Sequence, residues 1–200
     1  MMSPLTDEHR ESIWEDIEVD VFGSEAPSLH PVLLSIGAQP GAGKTRATAA
    51  TRRSFYAGRS FVPIIGDDFR PYHPDYRALV SSPDPDLMPA ATAELAGWLV
   101  RRSLEHAARH RYCAIVEGTL RSPETTLGTI RQFAAAGATT HLVILGVPEV
   151  DSWTGCIDRY LTPWSRATPP GGRPWPRTTR DTGGPRGRWR RRGTAPNCTG

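Results

Sequence analysis

Four short apolar runs, at residues 32–36, 61–65, 113–116 and 141–147, are each bounded by Gly, Pro or charged residues. Their length and their content of Val and Ile are those of buried strands. Between them lie stretches with apolar residues at helical spacing. Residues 7–19 read as a helix capped by Thr6, with acids in its first turn and Ile13, Trp14 and Ile17 on one face. Residues 44–57 read as a second helix, closed by Gly58. Residues 90–110 carry a stripe of Leu95, Trp98, Leu99, Leu104 and Ala108. Residues 123–136 start on Pro123 and stop before Gly137, and residues 151–160 form a last helix. Strand and helix alternate, which predicts an α/β fold with a mostly parallel sheet of about four strands and helices on both faces. Pro63 puts the second strand at a sheet edge or a bulge. Residues 22–30 are a polar connector. Residues 70–89 hold five prolines and form a loop-rich segment suited to folding over a substrate.

Composition changes the picture at one end of the chain. A formal charge of +3 and a pI near 9.0 suggest a basic protein. However, residues 163–200 hold nine Arg against one acid, Asp181, a balance of +8. The other 162 residues, with 15 basic and 20 acidic side chains, carry −5. The chain therefore divides into an acidic domain, residues 1–162 with an N-terminal helix over 6–20, and an Arg/Pro/Gly-rich tail, residues 163–200. The tail has almost no aliphatic residues and no periodicity, so it is expected to be disordered. Cys113, Cys156 and Cys198 have neither paired nor metal-ligand spacing, and the first two are expected as small core residues. A cytoplasmic setting follows as the expectation. No apolar run has the length of a membrane span, and the polar N-terminus lacks the features of a signal peptide.

Candidate chemistry begins directly after the first strand. Ala38 is followed, after four residues, by Gly43-Lys44-Thr45, the pattern of a phosphate-binding loop with Ala at its first position. Gly41 and Gly43 can take positive φ, so that the N–H groups of Gly41, Ala42 and Gly43 turn inward around an anion. The helix that opens at Lys44 adds free N–H groups and the positive end of its dipole. Lys44 supplies a charge for the outer phosphates, and the Thr45 hydroxyl is placed to hold Mg²⁺. Lys44 is the only lysine in the chain. Among so many arginines, a single lysine at this position points to a chemical requirement. The fold expected is thus a three-layer sandwich of the P-loop NTPase type.

Acids at the ends of neighbouring strands extend the site. Asp67 and Asp68 follow the second strand, where ligands bind in open α/β sheets. Either is placed to act as a base toward a substrate hydroxyl or as a Mg²⁺ ligand, and the alternative is a solvated turn. Glu117 ends the third strand, with Thr119 and Arg121 on the same rim, suited to a polar or anionic substrate. Arg159, near the end of the last helix, is either a lid arginine for the transferring phosphoryl group or one half of a surface ion pair. His73, before Pro74, reads as a turn residue.

Four blocks, GAQPGAGKT (37–45), GDDFRPYHPDY (66–76), EGTLRSPE (117–124) and VPEVDSWTGCIDRY (147–160), together resemble the zeta toxins, kinases of bacterial toxin–antitoxin systems. The resemblance covers residues 30–162. It implies a kinase that uses ATP or GTP with Mg²⁺ to phosphorylate the 3′-hydroxyl of the amino sugar in UDP-N-acetylglucosamine. It further implies Lys44 and Thr45 as phosphate and Mg²⁺ ligands, and Asp67 as the general base. Asp68, Glu117, Thr119 and Arg121 fall at the nucleotide-sugar rim, and Arg159 on the phosphates. Ser165-Arg166-Ala167-Thr168-Pro169 is similar to the family's second phosphate-binding arginine stretch, which suggests Arg166, although it stands several residues closer to Arg159 than in the family. An antitoxin protein is the implied partner.

Residues 170–200 do not resemble the family, and a truncated or frameshifted end is the expectation for them. A nucleic-acid-binding tail centred on residues 186–192 is the second reading, ranked lower because Pro, Gly and Trp accompany the Arg. Two further alternatives stand beside the nucleotide-sugar kinase. One is another small-molecule kinase or antibiotic phosphotransferase on the same scaffold, and the other is a nucleotide-binding remnant without activity. A GTPase switch is disfavoured, because no Asn-Lys-x-Asp occurs.

Overall fold

The computed structural model describes residues 5–165, 179–180 and 189–190. The chain divides into a unit Met1–Arg159 and a unit Tyr160–Gly200. The first unit contains four parallel strands, β1 (Val32–Gly37), β2 (Val62–Ile64), β3 (Ala114–Gly118) and β4 (Thr139–Ile144), in the order β2-β3-β1-β4. In the second, Thr179–Arg180 pairs antiparallel with Trp189–Arg190. Apart from these residues and the end of the last helix, the tail expected to be disordered lies outside the described residues, as do Arg166 and Cys198.

Alternation along β1 divides the core between two faces. Leu33, with Val62, Ile64 and Ala114, packs on one face against α1 (Asp7–Ile17), α5 (Leu87–Arg109) and α6 (Pro123–Ala135). Val32, Leu34 and Ile36 join Phe61, Cys113 and Ile115 on the other, beside Tyr56 at the end of α2 (Lys44–Phe55). This is the expected three-layer sandwich. All six β1 residues are buried, as befits the inner strand of a parallel sheet. Pro63 is exposed on β2, which is an edge strand as its proline predicted. The chain leaves β1 toward β2 on one face and leaves β3 toward β4 on the other. The crevice between the tips of β1 and β3 is therefore the topological switch point where α/β sheets bind ligands.

Several boundaries differ from the expectation, each for a local reason. The segment 70–89 is not all loop. It opens with a 3-10 turn (Arg70–Tyr72) that continues α3 (Gly66–Phe69), then holds α4 (Tyr76–Val80), and α5 begins at Leu87. Pro89 fits inside α5 because the first-turn N–H groups have no helical acceptor to lose. β4 stops at Ile144 because its partner β1 ends at Gly37, opposite it. The last helix, α7 (Glu149–Ser165), starts early, with the Pro148 carbonyl accepting from Asp151 N and Ser152 N, both at 3.1 Å. Cys113 is buried beside β3 as expected, but Cys156 is only half-buried and lies outside the core.

α1 continues into a π-helical turn (Glu18–Phe22) and docks on α5 through an aromatic cluster. His106 stacks on His110 at 4.4 Å, and packs against Phe22 at 4.6 Å and Trp14 at 5.5 Å between ring centroids. Burial pushes the His106 pKa below its ordinary 6.5. The positive charges of His110, Arg109 and Arg102 act the same way, while Glu18 opposes them. The unfolded chain therefore binds a proton more readily than the folded one at this residue. Stability is fully present above pH 6.5 and is lost as pH falls from there toward the lower folded-state pKa. Urea midpoints should be lower at pH 5.5 than at 7.5, and His106→Gln should flatten that dependence. An unchanged slope in the variant would assign the acid sensitivity to other groups.

Candidate active site

The turn after β1 has the geometry its glycines predict. Gly41 has φ +75° and Gly43 φ +83°, both left-handed. An added Cβ at Gly43 would meet nothing within 4 Å, so there the backbone angle alone calls for glycine. At Gly41 the space is also closed, because a Cβ would lie 2.1 Å from Ser152 O and 2.9 Å from Cys156 Sγ. Lys44 bends back over the loop and its Nζ donates to Ala38 O and Gln39 O, each at 3.3 Å. Thr45 stands exposed in the first turn of α2.

The loop is tied to both neighbouring strand tips. Ala38 N donates to Gly118 O at 3.2 Å on the β3 side. Gln39 Nε2 donates to Val147 O at 2.9 Å, past β4. α7 closes on it from a third side. Ser152 Oγ donates to Pro40 O, and Gly155 lies so near that a Cβ there would sit 2.3 Å from Gly41 O. Ser152, Gly155, Cys156 and Arg159 are spaced i, i+3, i+4 and i+7. The face of α7 that meets the loop is therefore also the face that carries Arg159 one turn further on. The Arg159 side chain is exposed.

Glu117 is opposite Ile36 in the sheet and half-buried, on the strand beside the loop. Its Oε1 accepts from Thr48 Oγ1 at 3.0 Å. Thr48 lies one turn past Lys44, so α2 joins the phosphate loop to this carboxylate. Thr119 and Arg121 are exposed beyond β3. Asp67 and Asp68 lie in α3, past the tip of β2, two strand spacings from β1, which is about 10 Å. Both are exposed, and Asp67 Oδ1 accepts from Arg70 Nε at 2.9 Å. His73 is buried at the end of the 3-10 turn, where its Nδ1 accepts from Asp75 N at 3.2 Å, a turn residue as read.

The structure thus brings Gly41, Gly43, Lys44, Glu117 and α7 together, and it sets Asp67 and Asp68 across the crevice. Thr48 and Thr92 lie outside the four sequence blocks, and Arg70, Ser152 and Gly155 stand inside them without an assigned role. Of these, only Gly155 carried a signal: a glycine inside a helix costs about 1 kcal/mol against alanine, which hints at a close approach. Among the described residues no cluster of His, Cys, Asp and Glu is arranged to hold a metal, and no helix is long and apolar enough to cross a membrane.

Comparison with known proteins gives a consistent result. The family model described as Zeta toxin matches residues 20–183, running past the last of the four sequence blocks. The chain is 25% identical over 171 residues to Toxin zeta of Streptococcus pyogenes, covering 82% of this chain and 58% of that protein. It is 29% identical over 133 residues to Toxin PezT of Streptococcus pneumoniae, covering 66% and 51%. The chain spans about half the length of the curated relatives it matches. A solved structure from the PezAT toxin–antitoxin system of Streptococcus pneumoniae superposes with a TM-score of 0.73 at 23% identity, over 82% of this chain and 68% of that one. The fold is that of this P-loop kinase-like group.

Proposed function

The chain belongs to the zeta toxin family, and from that premise we propose that it is a nucleotide-dependent kinase acting on the 3′-hydroxyl of UDP-N-acetylglucosamine. The observation that carries this reading is the phosphate loop at the switch point, gripped by α7, with carboxylates on the rims of the next two strands. The residues fit a bound triphosphate. Two left-handed glycines turn amides inward, and Lys44 Nζ holds only loop carbonyls, at a weak 3.3 Å, which phosphate oxygens can replace. Thr45 is exposed at the helix start where a Mg²⁺ ligand is needed. Bound here, ATP or GTP supplies the phosphoryl group, with Mg²⁺ offsetting the charge of its outer oxygens.

Lys44 and the N-terminus of α2 hold the phosphate charge, and Arg159 approaches the transferring group from α7. Arg166, outside the described residues, is proposed for the same task. Glu117, Thr119, Arg121 and Asp68 orient the sugar nucleotide. Asp67 accepts the hydroxyl proton as the sugar oxygen bonds to phosphorus and the leaving diphosphate takes the electron pair of the broken P–O bond. The similarity to a structure from the PezAT toxin–antitoxin system supports an antitoxin protein as partner.

Asp67→Ala tests the assignment. Phosphoryl transfer should fall by ~10² or more while nucleotide affinity stays within about twofold, because a general base contributes to the barrier and not to triphosphate binding. Labelled ATP with UDP-N-acetylglucosamine measures the first, and a nucleotide titration the second. Should Asp68→Ala give that pattern instead, the base is the other carboxylate. Consumption of ATP with a different hydroxyl acceptor would shift the reading to another small-molecule kinase.

A further inference from the structure

The proposed base is a solvent-exposed aspartate, and something must hold it still. Its side chain is 78% exposed, and an exposed aspartate in the first turn of a four-residue helix has several accessible rotamers. The neighbouring arginine is far better fixed. Arg70 Nε donates to Asp67 Oδ1 at 2.9 Å, and Arg70 Nη1 donates to Pro89 O at 2.8 Å and Thr92 Oγ1 at 2.7 Å. Thr92 is fully buried in α5, and its hydroxyl donates in turn to Met88 O at 2.8 Å. The hydroxyl proton is thereby committed to Met88 O, so the Thr92 oxygen faces Arg70 as an acceptor. The guanidinium is planar with its donors in a set fork, so two anchors on α5 fix the direction of the third bond.

Resting on the reading of Asp67 as the base, we propose that Arg70, anchored by Thr92 and the Pro89 carbonyl, is a positioning residue. It pins Oδ1 and presents Oδ2 to the acceptor hydroxyl. The bond to the exposed Asp67 adds little to folding stability by itself, so fold support comes from the Arg70 bonds to Pro89 and Thr92 and the Asp67 contact is left to orientation. It also links α3, which carries the base, to the long helix packed beneath the sheet.

Arg70→Ala should lower kcat on the order of tenfold to a hundredfold, with the KM for nucleotide within about twofold of wild type. Loss of the bonds to Pro89 O and Thr92 should also lower Tm by a few degrees, so kcat is read well below the variant's Tm. Arg70→Lys should not restore kcat, since one ammonium cannot span all three acceptors with a fixed fork. Thr92→Val should reproduce part of the loss. Wild-type turnover in Arg70→Ala, with Asp67→Ala inactive, overturns the positioning role and leaves the base in place. An active Asp67→Ala instead removes the base assignment. Should the wild-type chain transfer no phosphate at all, the kinase reading falls, and NMR exchange of the Arg70 Nε–H decides the network. Slow exchange in wild type that becomes fast in Asp67→Asn and in Thr92→Val supports it, whereas fast exchange in wild type overturns it.

Discussion

Lys44→Ala is expected to abolish nucleotide-dependent phosphoryl transfer, with a loss on the order of a thousandfold or more, while leaving the fold standing. The ammonium is the one lysine charge in the chain and sits at the centre of the amide turn. Charge-assisted bonds to a phosphoryl group strengthen as the transition state spreads charge over its oxygens, so their removal falls chiefly on the barrier. The folding cost is small by comparison. Two half-exposed bonds at 3.3 Å to loop carbonyls are worth about 1 kcal/mol together, a shift of about 2–4 °C in Tm for a domain of this size. Calorimetry of the variant beside a transfer assay separates the two. Turnover at the wild-type level would remove the kinase reading, and outright unfolding would mean that Lys44 acts as a structural clasp.

Gly155→Ala is expected to weaken nucleotide binding by about tenfold or more, against what helix propensity predicts. Alanine is the better helix former by about 1 kcal/mol, so without tertiary contact the substitution should stabilise α7. The new Cβ, however, would lie 2.3 Å from Gly41 O and 3.1 Å from Gly41 C. Both are backbone atoms, which cannot rotate aside. Ordinary contact requires α7 to withdraw by about 1 Å, and misplacement of that size in a site can cost ~10² in rate. Withdrawal also loosens the Ser152 bond to Pro40 and carries Arg159 away from the loop. Nucleotide titration and thermal unfolding of the variant measure the effect. Wild-type affinity together with a raised Tm would show that α7 does not brace the loop.

How much was legible beforehand depended on sequence separation. The β1 run, the two glycines and the helix start at Lys44 lie within fourteen residues, and the local chemistry of each was enough to read the loop. Pro63 narrowed its strand to an edge or a bulge, because a sheet tolerates a missing N–H at few places, and the strand order makes it an edge. Glu117 was found from its place at a strand end. Its bond to Thr48 was not, since those residues stand 69 apart in sequence. The hold of Ser152 on Pro40 spans 112 residues and left no pattern to read. Cys156 was misjudged as a core residue for the same reason: helical spacing tells which face a residue occupies, not what lies opposite that face.

Strands, helices and the phosphate loop were dictated by the chain itself, because backbone angles, caps and hydrophobic periodicity are settled by residues a few positions apart. The order β2-β3-β1-β4, which inserts the strand bearing Glu117 between the loop and Asp67, was decided only in three dimensions. So were the seating of α7 on Gly41 and the anchoring of Arg70 on Thr92. These depend on how whole elements pack across the sheet, and packing is set by the sum of many distant contacts that no local window of sequence contains.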